Sequence, residues 1–163
     1  GLITLVDSLL DAIEAHGGRD LIEDFAAAIP VEIIGNLLGV PMADRGPLRG
    51  WSLAILGALE PRLTPEQEEL GNQSVSDFTA YLRELVRDRR AHPGDPEHDV
   101  LTRLILGEQS GEQLSESELL QNCVFILNAG HETTTNLIGN ALVALHEWPE
   151  VKAQLLYSLD KPR

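Results

Sequence analysis

The chain has 163 residues, of which 26 are Asp or Glu and 12 are Lys or Arg, so its formal net charge is −14. A chain of this length can bury enough surface to fold as one domain, and its single cysteine, Cys123, cannot form an internal disulfide. The excess of carboxylates disfavours nucleic-acid binding or attachment to an acidic membrane surface, because both favour clustered Lys and Arg. No apolar run reaches the roughly 18 residues of a transmembrane helix, so a soluble cytoplasmic protein is expected.

Apolar residues recur at helical spacing along almost the whole chain, and no period-two alternation is long enough to predict a strand. We therefore expect an all-α fold. A first helix is predicted over residues 2–13 and ends at Gly17, before a linker that contains Asp20. A second helix is predicted over residues 29–38, where Gly39 ends it, and its all-round apolar character indicates burial.

The next two predicted helices differ in length and in the clarity of their signals. Residues 47–59 are apolar and predicted to be helical, although two glycines weaken the pattern. A long helix begins after Thr64, because Thr64 and Gln67 have the spacing of a capping box around a first-turn proline. Its predicted inner stripe consists of Val75, Phe78, Leu82, Leu85 and Val86. Its last turns carry cations that complement the helix dipole and need no further role, namely Arg87, Arg89 and Arg90.

The remaining predicted helices include the longest element of the chain. Asp99 caps a short helix over residues 100–106, which a polar loop to residue 113 follows. A capping box at residues 115–118 then precedes a helical pattern that continues to about Trp148. A helix of this length measures about 50 Å and must cross the whole protein. A last helix is predicted over residues 150–159.

The centre of the long helix has an unusual composition, because residues 129–135 contain one Gly and three Thr, all poor helix formers. The Thr133 hydroxyl can donate to the carbonyl of Ala129, which bends or widens the helix, and Gly130 leaves the widened turn unfilled. Glu132 beside Thr133 forms a carboxylate and hydroxyl pair that can relay protons. The face that would let a flat ligand approach the backbone consists of Ile126, Ala129, Thr133 and Leu137.

This segment has two interpretations other than a ligand site. Small residues also mark a close crossing of two helices, in which case Glu132 is simply a solvated charge. The pair His131 and Glu132 begins the zinc motif H-E-x-x-H, but residue 135 is Thr, so a zinc site is excluded. His131 lies beside the small-residue face and is expected to be a polar neighbour of it.

The letters A-G-H-E-T-T at residues 129–134 resemble the central-helix motif A/G-G-x-D/E-T-T/S of the cytochrome P-450 family. Residues 136–141 continue as soluble bacterial members do, and residues 20–25 with 37–41 resemble the stretch that joins the family's D and E helices. The resemblance therefore implies an all-α helical fragment of the cytochrome P-450 fold, from helix D to helix J, built around one long central helix of the I type.

The resemblance also implies a function and a set of roles. A family member is a haem-thiolate monooxygenase that inserts one oxygen atom from dioxygen into a small organic substrate, with electrons from a ferredoxin-like partner. Ala129, Gly130 and Thr133 would lie over the distal face of haem b, and Glu132 and Thr133 would deliver protons to bound dioxygen. Ile126 and Leu137 would contact the substrate.

Several family features have no match in this chain. The loop F-x-x-G-x-x-x-C-x-G, which supplies the thiolate ligand of the iron, does not occur, and Cys123 within the long helix is expected to be a small core residue. Glu84 and Arg87 spell E-x-x-R upstream of the motif and predict only a surface ion pair. Residues 1–163 are thus expected to be one incomplete helical domain with no metal ligand, inactive alone. The alternative is a non-catalytic helical interaction protein that self-associates.

Overall fold

Helices make up the described part of the chain, which in the computed structural model comprises residues 1–109 and 114–159 and contains no strand. The predicted all-α fold is confirmed, and the predicted polar loop lies largely in residues 110–113, outside the described residues. No described helix is both long and apolar enough to cross a membrane. The α-helices are α1 Leu2–Ala15, α2 Ala28–Leu37, α3 Gly46–Gly57, α4 Pro65–Ala91, α5 Val100–Gln109, α6 Glu116–Glu147 and α7 Pro149–Leu159.

Helix α6 occupies the centre of the fold and contacts α2, α3, α4, α5 and α7. It has 32 residues, a length of about 48 Å, as the sequence predicts. The capping box forms, because the Glu118 amide donates to Ser115 Oγ at 3.3 Å and the Ser115 amide donates to Glu118 Oε2 at 2.7 Å. One side of α6 is buried along its length, through Leu119, Leu120, Cys123, Leu127, His131, Thr135 and Gly139.

The hydrophobic core lies between this side of α6 and helices α2 to α5. Phe78 and Leu82 of α4 are fully buried in it, and the Trp51 ring stacks on Phe78 with centroids 5.1 Å apart. The predicted inner stripe of α4 is confirmed at four positions and wrong at Val75, which is exposed. Val75 lies on the flank of α4 that faces α6 across an open groove.

The segment around α2 differs from its prediction in two respects. Residues Ile22–Ala26 form a π-helical turn where a linker was expected, and the Asp20 carboxylate accepts the amides of Ile22 and Glu23 at 2.8 and 3.0 Å. Helix α2 was expected to be largely buried, and it buries Ile29, Pro30, Ile34 and Gly35 but exposes Ile33 and Leu37. It packs mainly on α6 and the π-helical turn.

The ends of α2, α4 and α5 meet at Arg89. Gly39, with φ +66°, ends α2, and its carbonyl accepts Arg89 Nη2 at 2.8 Å. Arg89 Nη1 lies 3.0 Å from Asp99 Oδ2, and Asp99 Oδ1 caps α5 by accepting the Thr102 amide at 3.0 Å. The expectation that Arg89 has no role beyond the helix dipole is therefore wrong, whereas exposed Arg87 pairs with Glu84 as predicted.

Replacing Arg89 with Ala is expected to lower the free energy of unfolding by about 3 kcal/mol, because it leaves the nearly buried Asp99 carboxylate without its cation. Urea denaturation measures this loss. The matched control, Arg87→Ala, removes a solvent-exposed arginine from the same helix and should leave the free energy of unfolding nearly unchanged. Equal losses in the two variants would contradict the structural role of Arg89.

Candidate functional site

In the unusual segment of α6, two threonine hydroxyl groups bond back to carbonyls of the helix itself. Thr133 Oγ1 donates to the Ala129 carbonyl at 2.6 Å, which confirms the predicted bond. Thr135 Oγ1 donates in the same way to the His131 carbonyl at 2.9 Å. The segment stays α-helical throughout, so the locally widened turn that was expected is not seen.

The motif presents two opposite faces. Ala129, Thr133 and Leu137 are exposed, and the side chain of Leu137 has 70% of its surface accessible. Three of the four residues predicted to share one open face therefore do so. Ile126, the fourth, is half-buried and packs against the hydrophobic core. The open face has small side chains at Ala129 and Thr133, where a planar ligand can reach the helix closely.

Gly130 lies on the packed side of this segment. A Cβ at Gly130 would lie 3.0 Å from Ile34 Cδ1 of α2, closer than ordinary van der Waals contact. A Cβ at Gly139 would lie 2.7 Å from Ile22 Cδ1 of the π-helical turn. These glycines let α2 and the turn before it approach α6, which supports the close-crossing interpretation for Gly130.

Glu132 lies between the two faces and is half-buried. Its carboxylate makes no hydrogen bond or ion pair with any other residue that the structure describes. It lies next in sequence to Thr133, as the predicted carboxylate and hydroxyl pair requires.

His131 is the residue that sequence reasoning misplaced, because it is only 1% exposed. Its Nδ1 shares a 3.2 Å hydrogen bond with Ser52 Oγ of α3, and its Nε2 is buried with no hydrogen-bond partner among the described residues. Burial, with the Arg49 guanidinium nearby, lowers the pKa of His131, while Arg49 is itself paired with Glu23 at 2.6 Å. The sequence spacing already indicates this burial of His131, because residue 131 continues the four-residue repeat of buried Cys123 and Leu127.

A groove runs between α4 and the N-terminal half of α6, next to the motif. Its volume is about 580 Å³, which lies within the range of small-molecule sites. We call it the α4–α6 groove, and its lining residues are Leu59, Val75, Thr79, Arg83, Glu116, Ser117, Leu120, Gln121, Val124, Phe125 and Asn128. Neither Ile126 nor Leu137, the predicted substrate contacts, belongs to this lining.

The described residues bring no three His, Cys, Asp or Glu side chains together as a metal site. Cys123 is fully buried in the core, as predicted, and burial raises the pKa of its thiol to about 11. Burial disfavours the thiolate form of Cys123, which lies on the buried side of α6, away from the open face. Cys123 therefore cannot serve as a metal ligand at the open face.

The fold and the motif together define a class of protein, an all-α fold with one long helix through its centre that carries the letters A-G-H-E-T-T. The comparison with protein families agrees, because the Cytochrome P450 family model matches residues 56–161. The chain belongs to the cytochrome P450 family.

Individual relatives come from several bacteria. A Cytochrome P450 of Bacillus subtilis is 37% identical over 141 residues, which are 86% of this chain and 33% of that protein. Cytochrome P450 107B1 of Saccharopolyspora erythraea is 36% identical over 151 residues, 93% of this chain and 35% of that protein. The chain therefore spans about a third of the length of these curated relatives.

Solved structures show the same likeness. P450BioI in complex with acyl carrier protein ligated to hexadec-9Z-enoic acid has a TM-score of 0.86 and 31% identity, over 94% of this chain and 38% of that one. The ligand-free cytochrome P450 TbtJ1 has a TM-score of 0.81 and 38% identity, over 94% of this chain and 40% of that one.

The buried imidazole predicts a pH dependence of stability. Since the folded-state pKa of His131 lies below its ordinary value of 6.5, the unfolded chain binds the proton first as pH falls. Between about pH 7 and pH 5, the free energy of unfolding should therefore fall more steeply for the natural chain than for a His131→Asn variant.

Urea denaturation across this pH range measures the two slopes. The matched control is His146→Asn, since His146 is an exposed histidine of the same helix. The free energy of unfolding of this control should depend on pH as steeply as that of the natural chain. Parallel curves for the natural chain and His131→Asn would contradict the lowered pKa.

Proposed function

We propose that this chain is the oxygen-activating portion of a cytochrome P450 monooxygenase, which inserts one oxygen atom from dioxygen into a small organic substrate. The observation that carries the proposal is the open face of α6, where exposed Ala129 and Thr133 are joined by a 2.6 Å hydrogen bond from hydroxyl to carbonyl. The electron donor would be a ferredoxin-like protein, and the location would be the cytoplasm.

The open face fits the distal side of haem b. Ala129 and Thr133 would contact the ring, and Gly130 would let the helix pack closely behind them. When bound, the haem iron supplies the redox chemistry that activates dioxygen. The iron ligand would come from outside this chain, because the thiol of Cys123 is buried in the core. We therefore expect the chain alone to be inactive.

The side chains on this face would manage protons. Thr133 Oγ1 has its own proton engaged by the Ala129 carbonyl, so its lone pairs can accept a hydrogen bond from a donor on the open side. Glu132, half-buried and without a partner among the described residues, would take up protons from water and pass them on beside Thr133.

The substrate would lie along the exposed side of α6. Leu137 is exposed beyond Thr133 and would contact the substrate. The predicted contact at Ile126 is supported less, since this side chain packs on the core, whereas its neighbour Phe125 is 69% exposed. Phe125 and Leu137 would then border the substrate on the two sides of the motif.

In a full-length protein that contains this chain, Thr133→Ala should separate electron consumption from product formation, because the hydroxyl that directs proton delivery is lost. The ratio of product formed to reduced cofactor consumed is expected to fall about tenfold or more. Simultaneous assays of product and of cofactor oxidation measure this ratio.

The conservative variant Thr133→Ser keeps a hydroxyl and should restore most of the coupling. Asn140→Ala, at an exposed position of the same helix away from the motif, should leave the ratio unchanged. Unchanged coupling in Thr133→Ala would overturn the role assigned to Thr133.

A non-catalytic, self-associating helical protein is the second candidate function. It is favoured by the exposed apolar side chains of the terminal helices, since neither α1 nor α7 has a buried residue among those described. Pairing of two copies would cover such surfaces. The exposed apolar residues of these two helices include Leu2, Ile3, Leu10, Val151, Leu155, Leu156 and Leu159.

Sedimentation velocity over a hundredfold range of concentration tests this second function. Self-association predicts a sedimentation coefficient that rises with concentration, because mass action favours the dimer. A folded chain that stays monomeric over the whole range would exclude it.

A further inference from the structure

Trp51, Phe78 and Tyr81 form an aromatic cluster between α3 and α4. The Trp51 ring stacks on Phe78, and its centroid lies 6.0 Å from that of the Tyr81 ring. Phe78 is fully buried, whereas Trp51 and Tyr81 are half-buried. Phe78 and Tyr81 are three residues apart on α4, so they lie on the same face of the helix and hold the indole between them and α3. The cluster therefore keeps an indole and a phenol next to each other.

The phenol of Tyr81 is bonded to a carboxylate. Its hydroxyl donates to Asp44 Oδ2 at 3.1 Å, and Asp44 is exposed at the end of the short turn Met42–Asp44. Burial, and then the bond to Asp44, raise the pKa of Tyr81, so the phenol keeps its proton at neutral pH. A phenol that loses an electron becomes a strong acid, and the proton would then move along the existing bond to the carboxylate.

The other end of the cluster lies beside the motif of α6. Ser52 follows Trp51 in the chain, and its hydroxyl shares a 3.2 Å hydrogen bond with Nδ1 of buried His131. His131 is the third residue of the motif and directly precedes Glu132. One hydrogen bond and a short stretch of covalent bonds thus connect α6 with the indole. The cluster leads from the buried side of the motif to an exposed carboxylate.

We propose that Trp51 and Tyr81 form a radical-transfer pair, in which Tyr81 reduces an oxidised Trp51 and Asp44 takes up the phenol proton. The indole radical cation of Trp51 gains one electron, the O–H bond of Tyr81 breaks, and its proton bonds to Asp44 Oδ2. The products are neutral Trp51, a phenoxyl radical at Tyr81 and a protonated Asp44.

The pair would carry oxidising equivalents away from the core. The oxidant would be a strong one-electron oxidant formed during oxygen activation, so the source of the oxidant rests on the proposed function. A one-electron reductant from solvent, such as ascorbate, would return the electron to the half-buried Tyr81 ring. Asp44 would return the proton, which restores the starting state.

Flash photolysis of the chain without haem tests this transfer. The starting variant combines Trp148→Phe and Tyr157→Phe, two exposed positions, and leaves Trp51 and Tyr81 as the sole tryptophan and tyrosine of the chain. A ruthenium tris-bipyridine complex, oxidised by a light flash in the presence of a sacrificial electron acceptor, removes one electron from the protein. Transient absorption should show the indole radical decaying while the phenoxyl radical appears with the same time constant.

Three further variants, made in this starting variant, assign the roles. Tyr81→Phe keeps the ring without its hydroxyl, so the phenoxyl signal should be absent and the Trp51 radical should last longer. Asp44→Asn weakens the proton acceptor and should slow the transfer about tenfold or more. The matched control is Asp77→Asn, at an exposed position of α4 one turn before Tyr81, which should leave the transfer rate unchanged.

Three results would overturn the proposal. The first is an indole radical that decays in the starting variant without any phenoxyl signal. The second is phenoxyl formation in Trp51→Phe as fast and in the same yield as in the starting variant, since Trp51 would then have no part in it. The third is an equal transfer rate in Asp44→Asn and Asp77→Asn. The measurement needs no haem, so its failure is distinct from a failure of the Thr133 coupling assay.

Discussion

Burial of one side of α6 sets the positions of helices α2, α3, α4 and α5, which form the core with it. The buried residues recur about every four positions from Leu119 to Gly139, so a single stripe follows the helix for most of its length. Helices α2, α3 and α4 cover this stripe, and small residues at Gly130 and Gly139 let the chain before and within α2 come close. The opposite side is left open as a consequence, which is why Ala129 and Thr133 are accessible.

Features that depend on neighbours in sequence could be predicted from the sequence. The two capping boxes form because Thr64 with Gln67, and Ser115 with Glu118, are each three residues apart and need no other element. The bond from Thr133 to Ala129 is local in the same sense, since both partners belong to one helical turn. The family motif could be recognised for a related reason, because it is a run of adjacent letters.

Features that depend on distant partners could not be predicted. The hydrogen bond of His131 has its partner, Ser52, 79 residues away in sequence and on another helix. Arg89 was expected to have no role beyond the helix dipole, because its partners Gly39 and Asp99 lie at the ends of other helices. Val75 fits the apolar spacing of α4 and is nevertheless exposed. Apolar residues that line a groove can have the same spacing as residues of the core. The open face and the groove thus became visible only in three dimensions.

The junction at Arg89 also bears on how the chain folds and opens. One guanidinium closes the stretch between residues 39 and 89, a separation of 50 residues that includes the whole of α3 and nearly all of α4. A contact of such high sequence separation depends on the packing of the helices between its two partners. Opening of the first turn of α5 should then be coupled to separation of α2 from α4. The amides of that turn would exchange with solvent hydrogen as part of this larger cooperative unit, more slowly than the fraying of a short helix would allow.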